Sequence, residues 1–258
     1  MKYKIWLLML NINDDKKIKL REIYGDEKVI YNKFNEIKLE LNLKNNYIKE
    51  VELDKASEIL KWTLQNNIGF ITYFDKKYPD ELRKIEMPPY ALFYKGNIDI
   101  LKNRKVAIVG SRLCSQYGIE ITKLLTKELI SFNISIISGG AKGIDTIAHK
   151  TSVEEDGETV VVLGCGIDVI YPAQNKTLFR NVSEKGLIIT EFLPGTKPLK
   201  HNFPRRNRLI SGLSELIIVV EASEKSGSLI TARLAAEQGK EIMSVPGSVF
   251  SKTSMGCN

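Results

Sequence analysis

The sequence is poor in the residues that build metal and disulfide sites. Its three cysteines, Cys114, Cys165 and Cys257, lie far apart and form no Cys-x-x-Cys pair. This spacing argues against a zinc knuckle and a disulfide framework, and it fits a reducing, cytoplasmic location. With only two histidines and no paired metal ligands, we expect no metal site and no hydrolytic chemistry.

Long apolar runs are also absent. No segment approaches the roughly 20 apolar residues that a membrane helix needs, so we expect no membrane partner. The stretch from Ile5 to Leu10 imitates the start of a signal peptide, but it is short, and Asp14 and Asp15 follow without a small-residue cleavage site. We therefore expect a buried first helix or strand there.

Positively charged residues outnumber negatively charged ones. The 258 residues include 38 Lys and Arg against 31 Asp and Glu, which gives a net charge of +7 and a pI near 9.1. An excess of cations favours an anionic partner such as nucleic acid or acidic membrane. Charge alone does not choose between them, because the abundance of Lys, Asn and Ile can also reflect a biased genome.

The chain divides into regions of different pattern. Residues 1–66 carry apolar residues at helical spacing, including Leu39, Leu43 and Val51, with polar breaks between them, and this predicts a small helical domain for packing or partner docking. Residues 67–104 are rich in aromatics and proline, which predicts an ordered but irregular connector that packs on the main domain.

Residues 105–258 alternate short apolar runs with longer amphipathic stretches. Continuous apolar runs are typical of strands buried on both faces, and the stretches between them have room for crossover helices. We predict a Rossmann-like α/β fold, a mainly parallel sheet with helices on both faces. The predicted strands are Val106–Val109, Ile134–Ile137, Val160–Leu163, Leu187–Ile189, Leu216–Val220 and Ile242–Val245.

Glycine-rich turns follow the first two predicted strands, at the sheet edge where such folds bind ligands. Glycines let the backbone approach an anion, and successive exposed N–H groups followed by a helix start form an anion nest. The alternative is a tight strand-to-helix turn with a solvated arginine. Behind the second turn, Asp145 is expected to cap a helix and His149 to be an ordinary helix histidine. The candidate residues are Gly110, Ser111, Arg112, Gly139, Gly140, Lys142 and Gly143.

The usual nucleotide fingerprints are missing. Gly164 and Gly166 follow the third predicted strand, but Val169 stands where the Gly-x-Gly-x-x-Gly pattern needs its last glycine. No Gly-x-x-x-x-Gly-Lys-Ser/Thr occurs either. We therefore expect no nucleotide cofactor.

A basic segment follows the fourth predicted strand. Between Glu191 and Glu215 there is no acidic residue, while five cations and Phe203 lie on a predicted loop and helix start. This pattern predicts a surface that tracks a nucleic-acid backbone and stacks a base on Phe203, with a solvated basic helix face as the alternative. A further turn after the fifth strand either caps a helix or contacts the ligand. The candidate residues are Lys200, Phe203, Arg205, Arg206, Asn207, Arg208, Ser226 and Gly227.

The ordered motifs resemble the DNA-processing protein family DprA/Smf. They are Gly110-Ser111-Arg112, Ser138 to Asp145 with His149, Gly164-x-Gly166-Ile167-Asp168 with Tyr171-Pro172, Phe203-Pro204-x-Arg206-Asn207-Arg208, Ser226-Gly227-Ser228 and Val245-Pro246-Gly247. The resemblance extends from about Ile68 to Asn258, and residues 1–66 resemble the helical domain of the family only loosely.

This resemblance implies a cytoplasmic, non-catalytic homodimer. It implies binding and protection of single-stranded DNA and help in loading the RecA recombinase during natural transformation (competence), DNA uptake and recombination. Contacts to DNA are implied for Arg112, the Gly139–Gly143 loop, Lys200, Phe203 and Arg206. The family continues with a further apolar stretch and often a winged-helix domain, so more chain is expected after Asn258.

Two other functions stay open on the residues alone. Rossmann-like nucleotide phosphoribohydrolases share glycine nests but carry Pro-Gly-Gly-x-Gly-Thr-x-x-Glu. Here Pro246-Gly247-Ser248 has no acid at the corresponding offset, which leaves such an enzyme without its catalytic carboxylate. A protein-interaction adaptor, with a basic segment that only maintains solubility, is the third possibility.

Overall fold

A computed structural model describes residues 1–40 and 52–258. The chain forms two compact units, one made of Met1–Tyr78 with Glu86–Phe93 and the other of Pro79–Ile85 with Tyr94–Asn258. The sequence boundaries at residues 66 and 104 stay a prediction. Leu43 and Val51 lie outside the described residues.

The first unit consists mainly of helices, and its first helix is its most apolar one. Ile5, Trp6 and Leu7 are almost fully buried, and the Trp6 ring makes edge contacts with Tyr31 and Phe34. The expectation of a buried first helix is confirmed. No helix within residues 1–40 and 52–258 is long and apolar enough to cross a membrane. The helices are α1 (Lys2–Met9), α2 (Asp14–Tyr24), α3 (Glu27–Asn32), α4 (Phe34–Glu40) and α5 (Leu53–Gln65).

The region predicted as an irregular connector contains regular structure, so that prediction is wrong. It holds strands β1 (Gly69–Thr72) and β2 (Ala91–Gly96) and a short helix, α6 (Asp80–Arg83). The prolines misled the prediction because they lie between these elements rather than inside them. Pro79, for example, directly precedes α6. Four aromatic residues of this region, Phe70, Tyr78, Tyr90 and Phe93, are buried in the core, and the Phe70 and Phe93 ring centroids are 4.9 Å apart.

The second unit contains six strands that run parallel to one another. Each agrees with a predicted strand to within one residue at either end. They lie side by side in the order β6-β5-β4-β3-β7-β8. The strands are β3 (Lys105–Val109), β4 (Ser135–Ser138), β5 (Thr159–Val162), β6 (Leu187–Thr190), β7 (Leu216–Val219) and β8 (Glu241–Ser244).

Crossover helices connect these strands and complete the predicted Rossmann-like α/β fold. One group packs α7 against α8 and α8 against α9, and a second group packs α10 against α11, so helices cover both sides of the sheet. Apolar residues of β3 and α8, such as Ile108 and Ile144, are fully buried between sheet and helices. The helices are α7 (Gln116–Ser131), α8 (Ile144–Glu154), α9 (Lys176–Lys185), α10 (Asn202–Leu213) and α11 (Gly227–Glu237).

The strand order places a crevice between β3 and β7. From β3 the chain proceeds to β4, β5 and β6 on one side, and it then returns to add β7 on the other side of β3. The loops that leave the two strands therefore diverge. Open α/β sheets bind ligands at such a switch point, outside the carboxyl ends of the strands.

Candidate nucleic-acid interface

A cleft of about 690 Å³ lies in the second unit at the carboxyl ends of its strands. Its walls come from the connections after β3, β4, β5, β6 and β7. Five segments that are distant in sequence thus meet at the edge where the sequence analysis places the ligand.

The loop after β3 presents an exposed cation to the cleft. The Ser111 hydroxyl donates to the Leu113 carbonyl oxygen (2.9 Å) and accepts from the Leu113 N–H (3.1 Å), which closes a tight turn around Arg112. Ser115 then caps α7 and donates from its N–H and its hydroxyl to the Glu221 carboxylate after β7. Within the described residues Arg112 forms no ion pair, so its charge faces solvent in the cleft.

The glycine-rich turn after β4 is already filled by a side chain of the protein. The N–H groups of Gly139 and Ala141 both donate to Asp145 Oδ2, at 3.2 Å. Asp145 therefore binds this turn rather than capping α8, whose N-terminal cap is Gly143. The predicted donation from this nest to a phosphate is wrong for these two N–H groups, because a carboxylate occupies the anion position.

Arg206 clamps the same turn from the other side. Its guanidinium donates to the carbonyl oxygens of Gly139 (2.7 Å) and Val162, and the residue is 5% exposed. Burial lowers the pKa of Arg206 to about 10, so it stays charged at neutral pH, while burial raises the pKa of Asp145 against the opposing effect of that charge. The predicted phosphate contact of Arg206 is therefore corrected to a positioning contact, because its donors are engaged inside the protein.

Gly143 lets the turn after β4 pass directly beneath the loop after β3. Its φ is +74°, and a Cβ at this position would lie 2.2 Å from the Ser111 carbonyl oxygen. The next residue, Ile144, donates its N–H to that same oxygen at 3.2 Å. The two glycine-rich turns are thus one layered support for Arg112.

The basic segment has a counter-charge that the sequence analysis missed. Glu191, at the end of β6, has a side chain only 1% exposed and accepts hydrogen bonds from both Arg205 and Arg208. The Arg208 side chain is 5% exposed, so the expectation that it presents charge to DNA is wrong. The Arg205 side chain is 52% exposed and only partly committed to this pair. Glu191 lies just before the acid-free stretch in sequence, but the fold brings α10 back to it.

Phe203 lies at the centre of the cleft wall. Its ring packs over Gly164, where a Cβ would come within 2.8 Å of the ring, and it contacts the Tyr171 ring at a centroid distance of 5.5 Å. The Arg112 guanidinium carbon is 5.9 Å from the centre of the Phe203 ring. Lys200, on the approach to α10, is exposed and, like Arg112, has no ion pair among the described side chains.

The start of α11 forms the opposite wall. Ser226 caps this helix by accepting from the Ser228 N–H, and the exposed Gly227 follows it. The Asn207 side chain reaches the Gly227 carbonyl oxygen at 3.5 Å and accepts from Arg206 Nε at 3.1 Å. Asn207 therefore links α10 to α11 beneath the cleft.

His149 is fully buried below the Asp145 turn. Thr159 Oγ1 donates to the Ile136 carbonyl oxygen and so accepts from His149 Nδ1 at 2.7 Å, while His149 Nε2 has no partner among the described atoms. Burial, reinforced by the charge of Arg206, lowers the pKa of His149 to about 3. The expected helix histidine is thus only half satisfied, and it does not reach the cleft.

The structure brings most of the predicted residues to the cleft and places the others in its support. Among the lining residues that the sequence analysis missed, Leu113 and Tyr171 are the most exposed apolar ones, and Tyr171 was already part of a quoted motif. The predicted residues that line the cleft are Gly110, Ser111, Arg112, Lys200, Phe203, Arg206, Asn207, Ser226 and Gly227. Those outside the lining are Gly139, Gly140, Lys142, Gly143, Arg205 and Arg208.

Two of the solved structures similar to this one are of DNA processing protein A from bacteria. The X-ray structure of DNA processing protein A from Streptococcus pneumoniae superposes with a TM-score of 0.83 at 33% identity, covering 100% of this chain and 90% of that one. A structure of DNA processing protein A from Helicobacter pylori, described for its single-stranded DNA binding mode, gives 0.67 at 32% identity over 72% of this chain and 85% of that one.

Sequence comparison finds relatives that carry the same protein name. DNA processing protein DprA of Streptococcus pneumoniae is 45% identical over 184 residues, or 71% of this chain and 65% of that protein. DprA of Bacillus subtilis is 44% identical over 197 residues, or 76% of this chain and 66% of that protein. The chain thus spans slightly under two thirds of these curated relatives. The family described as DNA recombination-mediator protein A matches residues 69–258, and the chain belongs to this DprA/Smf family.

Proposed function

We propose that this protein binds and protects single-stranded DNA in the cleft and helps to load the RecA recombinase onto it. It does so in the cytoplasm, during natural transformation and recombination, as a homodimer and without catalysis. The observation that carries the proposal is the meeting of exposed Arg112 and Lys200 with the Phe203 ring at the switch point. The Helicobacter pylori relative, described by its single-stranded DNA binding, supports the same ligand.

The cleft residues divide into two roles. Arg112 and Lys200 neutralise successive phosphates, while Ser226 and the backbone at Gly110 and Gly227 donate to phosphate oxygens. The Ser111 hydroxyl, which donates to the Leu113 carbonyl oxygen, shapes the turn that presents Arg112. Phe203 stacks a base. A cation or a ring face recognises any sequence, so sequence preference is slight.

The remaining predicted residues hold this arrangement in place. Arg206, with Asn207, fixes α10 against the turn after β4, and Gly139 and Gly140 shape that turn. Arg205 and Arg208 fix α10 to Glu191. Lys142 is exposed beside the cleft and adds an unpaired charge next to the bound strand.

Fluorescence anisotropy with labelled oligo-dT tests the proposal. Binding should weaken steeply between about 50 and 200 mM salt, because phosphate contacts release counterions. The double variant Arg112→Ala/Lys200→Ala should bind more weakly and lower the slope of log K against log salt by about 1.4.

A matched double variant removes the same charge from the other edge of the sheet. Arg104 and Lys102 precede β3, so Arg104→Ala/Lys102→Ala loses two cations at the amino end of the strand that Arg112 follows. This control should bind like the parent protein. Equal weakening by both double variants would show that net charge, and not the cleft, binds DNA.

Loading of RecA needs its own measurement. The rate at which RecA assembles on a labelled single strand should rise when the parent protein is added and should not rise with Arg112→Ala/Lys200→Ala. An assembly rate that is the same with and without the parent protein would contradict the loading role while leaving DNA binding intact.

The proposed homodimer is tested separately, by light scattering of the purified chain.

A further inference from the structure

The cleft exposes more apolar surface than a phosphate-binding site requires. Leu113 is 86% exposed and Tyr171 is 41% exposed, and both line the cleft beside Phe203. Single exposed apolar side chains are common on protein surfaces, but neighbouring ones in a concave, cationic site mark a binding surface.

Phe203 lines the same cleft, and the three side chains Leu113, Phe203 and Tyr171 are called the row below. Tyr171 and Phe203 have their ring centroids 5.5 Å apart and their planes tilted by 39°. The guanidinium carbons of Arg112 and Arg206 each lie 5.9 Å from the centre of the Phe203 ring. The row therefore combines apolar side chains from the loop after β3, from α10 and from the connection after β5.

We propose that Leu113 and Tyr171 flank Phe203 as base-contacting residues, so that the row Leu113–Phe203–Tyr171 binds consecutive unpaired nucleobases. The inference rests on the proposed function, since it assigns the base-contacting side of the same cleft. The strand lies with its phosphates toward Arg112 and Lys200 and its bases on the row. Bases paired in a duplex have their faces covered by stacking, so the row selects single strands.

The ring contact limits where the bases can lie. The Tyr171 and Phe203 rings are in contact, which leaves no room for a base between them. In this proposal one base stacks on the 41% exposed Tyr171 ring, the next contacts Phe203, and Leu113 packs against a further base or sugar.

The test compares oligo-dT with an abasic oligonucleotide of equal length, which has the same phosphates and no bases. The parent protein should bind oligo-dT about tenfold more tightly. Tyr171→Leu should weaken oligo-dT binding about tenfold, and Leu113→Ala about threefold. Neither variant should change binding of the abasic strand or the salt slope, because neither residue is charged.

Two further variants separate the row from general effects. Tyr171→Phe should restore most of the affinity that Tyr171→Leu loses, since it keeps the ring. Leu124→Ala makes the same truncation as Leu113→Ala at a 52% exposed position of α7 outside the cleft lining, and it should bind like the parent protein.

The possible outcomes separate the proposed base contacts from the proposed binding of single-stranded DNA in the cleft. If the parent protein binds oligo-dT and the abasic strand equally, the row does not contact bases, while phosphate binding in the cleft stands. If Tyr171→Leu and Leu113→Ala weaken binding of oligo-dT and of the abasic strand equally, the assignment of base contacts to the row is likewise wrong. Binding of neither oligonucleotide by the folded parent protein would overturn the proposed function and the row together.

Discussion

His149 is a buried imidazole whose protonation the fold opposes. Its Nδ1 bonds to Thr159 Oγ1, its Nε2 has no partner among the described atoms, and the charge of buried Arg206 further disfavours protonation. The pKa falls from an ordinary value near 6.5 to about 3. The folded protein therefore keeps a neutral histidine at pH values where the unfolded chain binds a proton.

This difference predicts a loss of stability in mild acid. At pH 7.5 the histidine is neutral in both states and has no effect. As the pH falls below about 6.5 only the unfolded state gains the proton, so at pH 5.5 the free energy of unfolding should drop by about 1.4 kcal/mol. Urea titrations at the two pH values measure this change.

His149→Gln separates the histidine from its titrating neighbour. The raised pKa of Asp145 acts in the opposite direction, favouring the folded state as pH falls, and it is present in both proteins. The parent protein should thus lose more stability than His149→Gln between pH 7.5 and 5.5, by about the amount assigned to the histidine. The same pH dependence in both would mean that His149 is not the group responsible.

At the level of elements, the glycine-rich turn after β4 supports the loop after β3 rather than binding phosphate through the Gly139 and Ala141 N–H groups. The turn after β4 is occupied by Asp145 and Arg206, and Gly143 brings it against the Ser111 carbonyl oxygen. The position of Arg112 in the cleft therefore depends on Gly143, which does not itself line the cleft.

Gly143→Ala should uncouple the two turns. The added Cβ would meet the Ser111 carbonyl oxygen at 2.2 Å in a backbone conformation that alanine disfavours. We expect about 3 kcal/mol of destabilisation, more than positive φ alone costs, and weaker oligo-dT binding by the protein that remains folded. Thermal denaturation and anisotropy measure the two effects.

Gly239→Ala provides the matched control. Gly239 also has a positive φ, +67°, but a Cβ there would have nothing within 4 Å. It should cost only about 1 kcal/mol and leave DNA binding unchanged. If both variants behave alike, the contact beneath Ser111 is not what makes Gly143 necessary.

The predictability of this molecule depended on how local each feature is. Strands such as β3 were predicted to within one residue because a fully buried parallel strand reads as a continuous apolar run. The pairing of Glu191 with Arg208 and the filling of the nest by Asp145 were not predicted. Both contacts form where separate segments meet in the fold. The local sequence pattern does not show which side chain will occupy an anion site or pair with a buried charge. Strands β1 and β2 were missed for a different reason: the prolines between the elements of that region favour a prediction of irregular structure throughout.

On the scale of the whole molecule, the two compact units carry different spectroscopic probes. The sequence contains two tryptophans, Trp6 and Trp62, and both lie in the first unit. Helices occur in both units, with α1 to α5 in the first and α7 to α11 in the second. Tryptophan fluorescence therefore follows unfolding of the first unit, while far-ultraviolet circular dichroism follows the helices of both.

Glu191→Gln tests whether the units unfold separately. It leaves the buried Arg208 guanidinium facing a neutral amide, which should destabilise the second unit by about 3 kcal/mol. In urea the second unit's share of the circular dichroism signal should be lost at lower urea while the fluorescence midpoint stays, because compact units can open as separate cooperative units. Ile30→Ala, a fully buried position of the first unit, should lower the fluorescence midpoint by a comparable cavity cost and shift only the first unit's share of the dichroism signal. A fluorescence midpoint that falls together with the whole dichroism transition in Glu191→Gln would instead show that the chain unfolds as one cooperative unit, in which case damage to the first unit would also weaken DNA binding in the cleft.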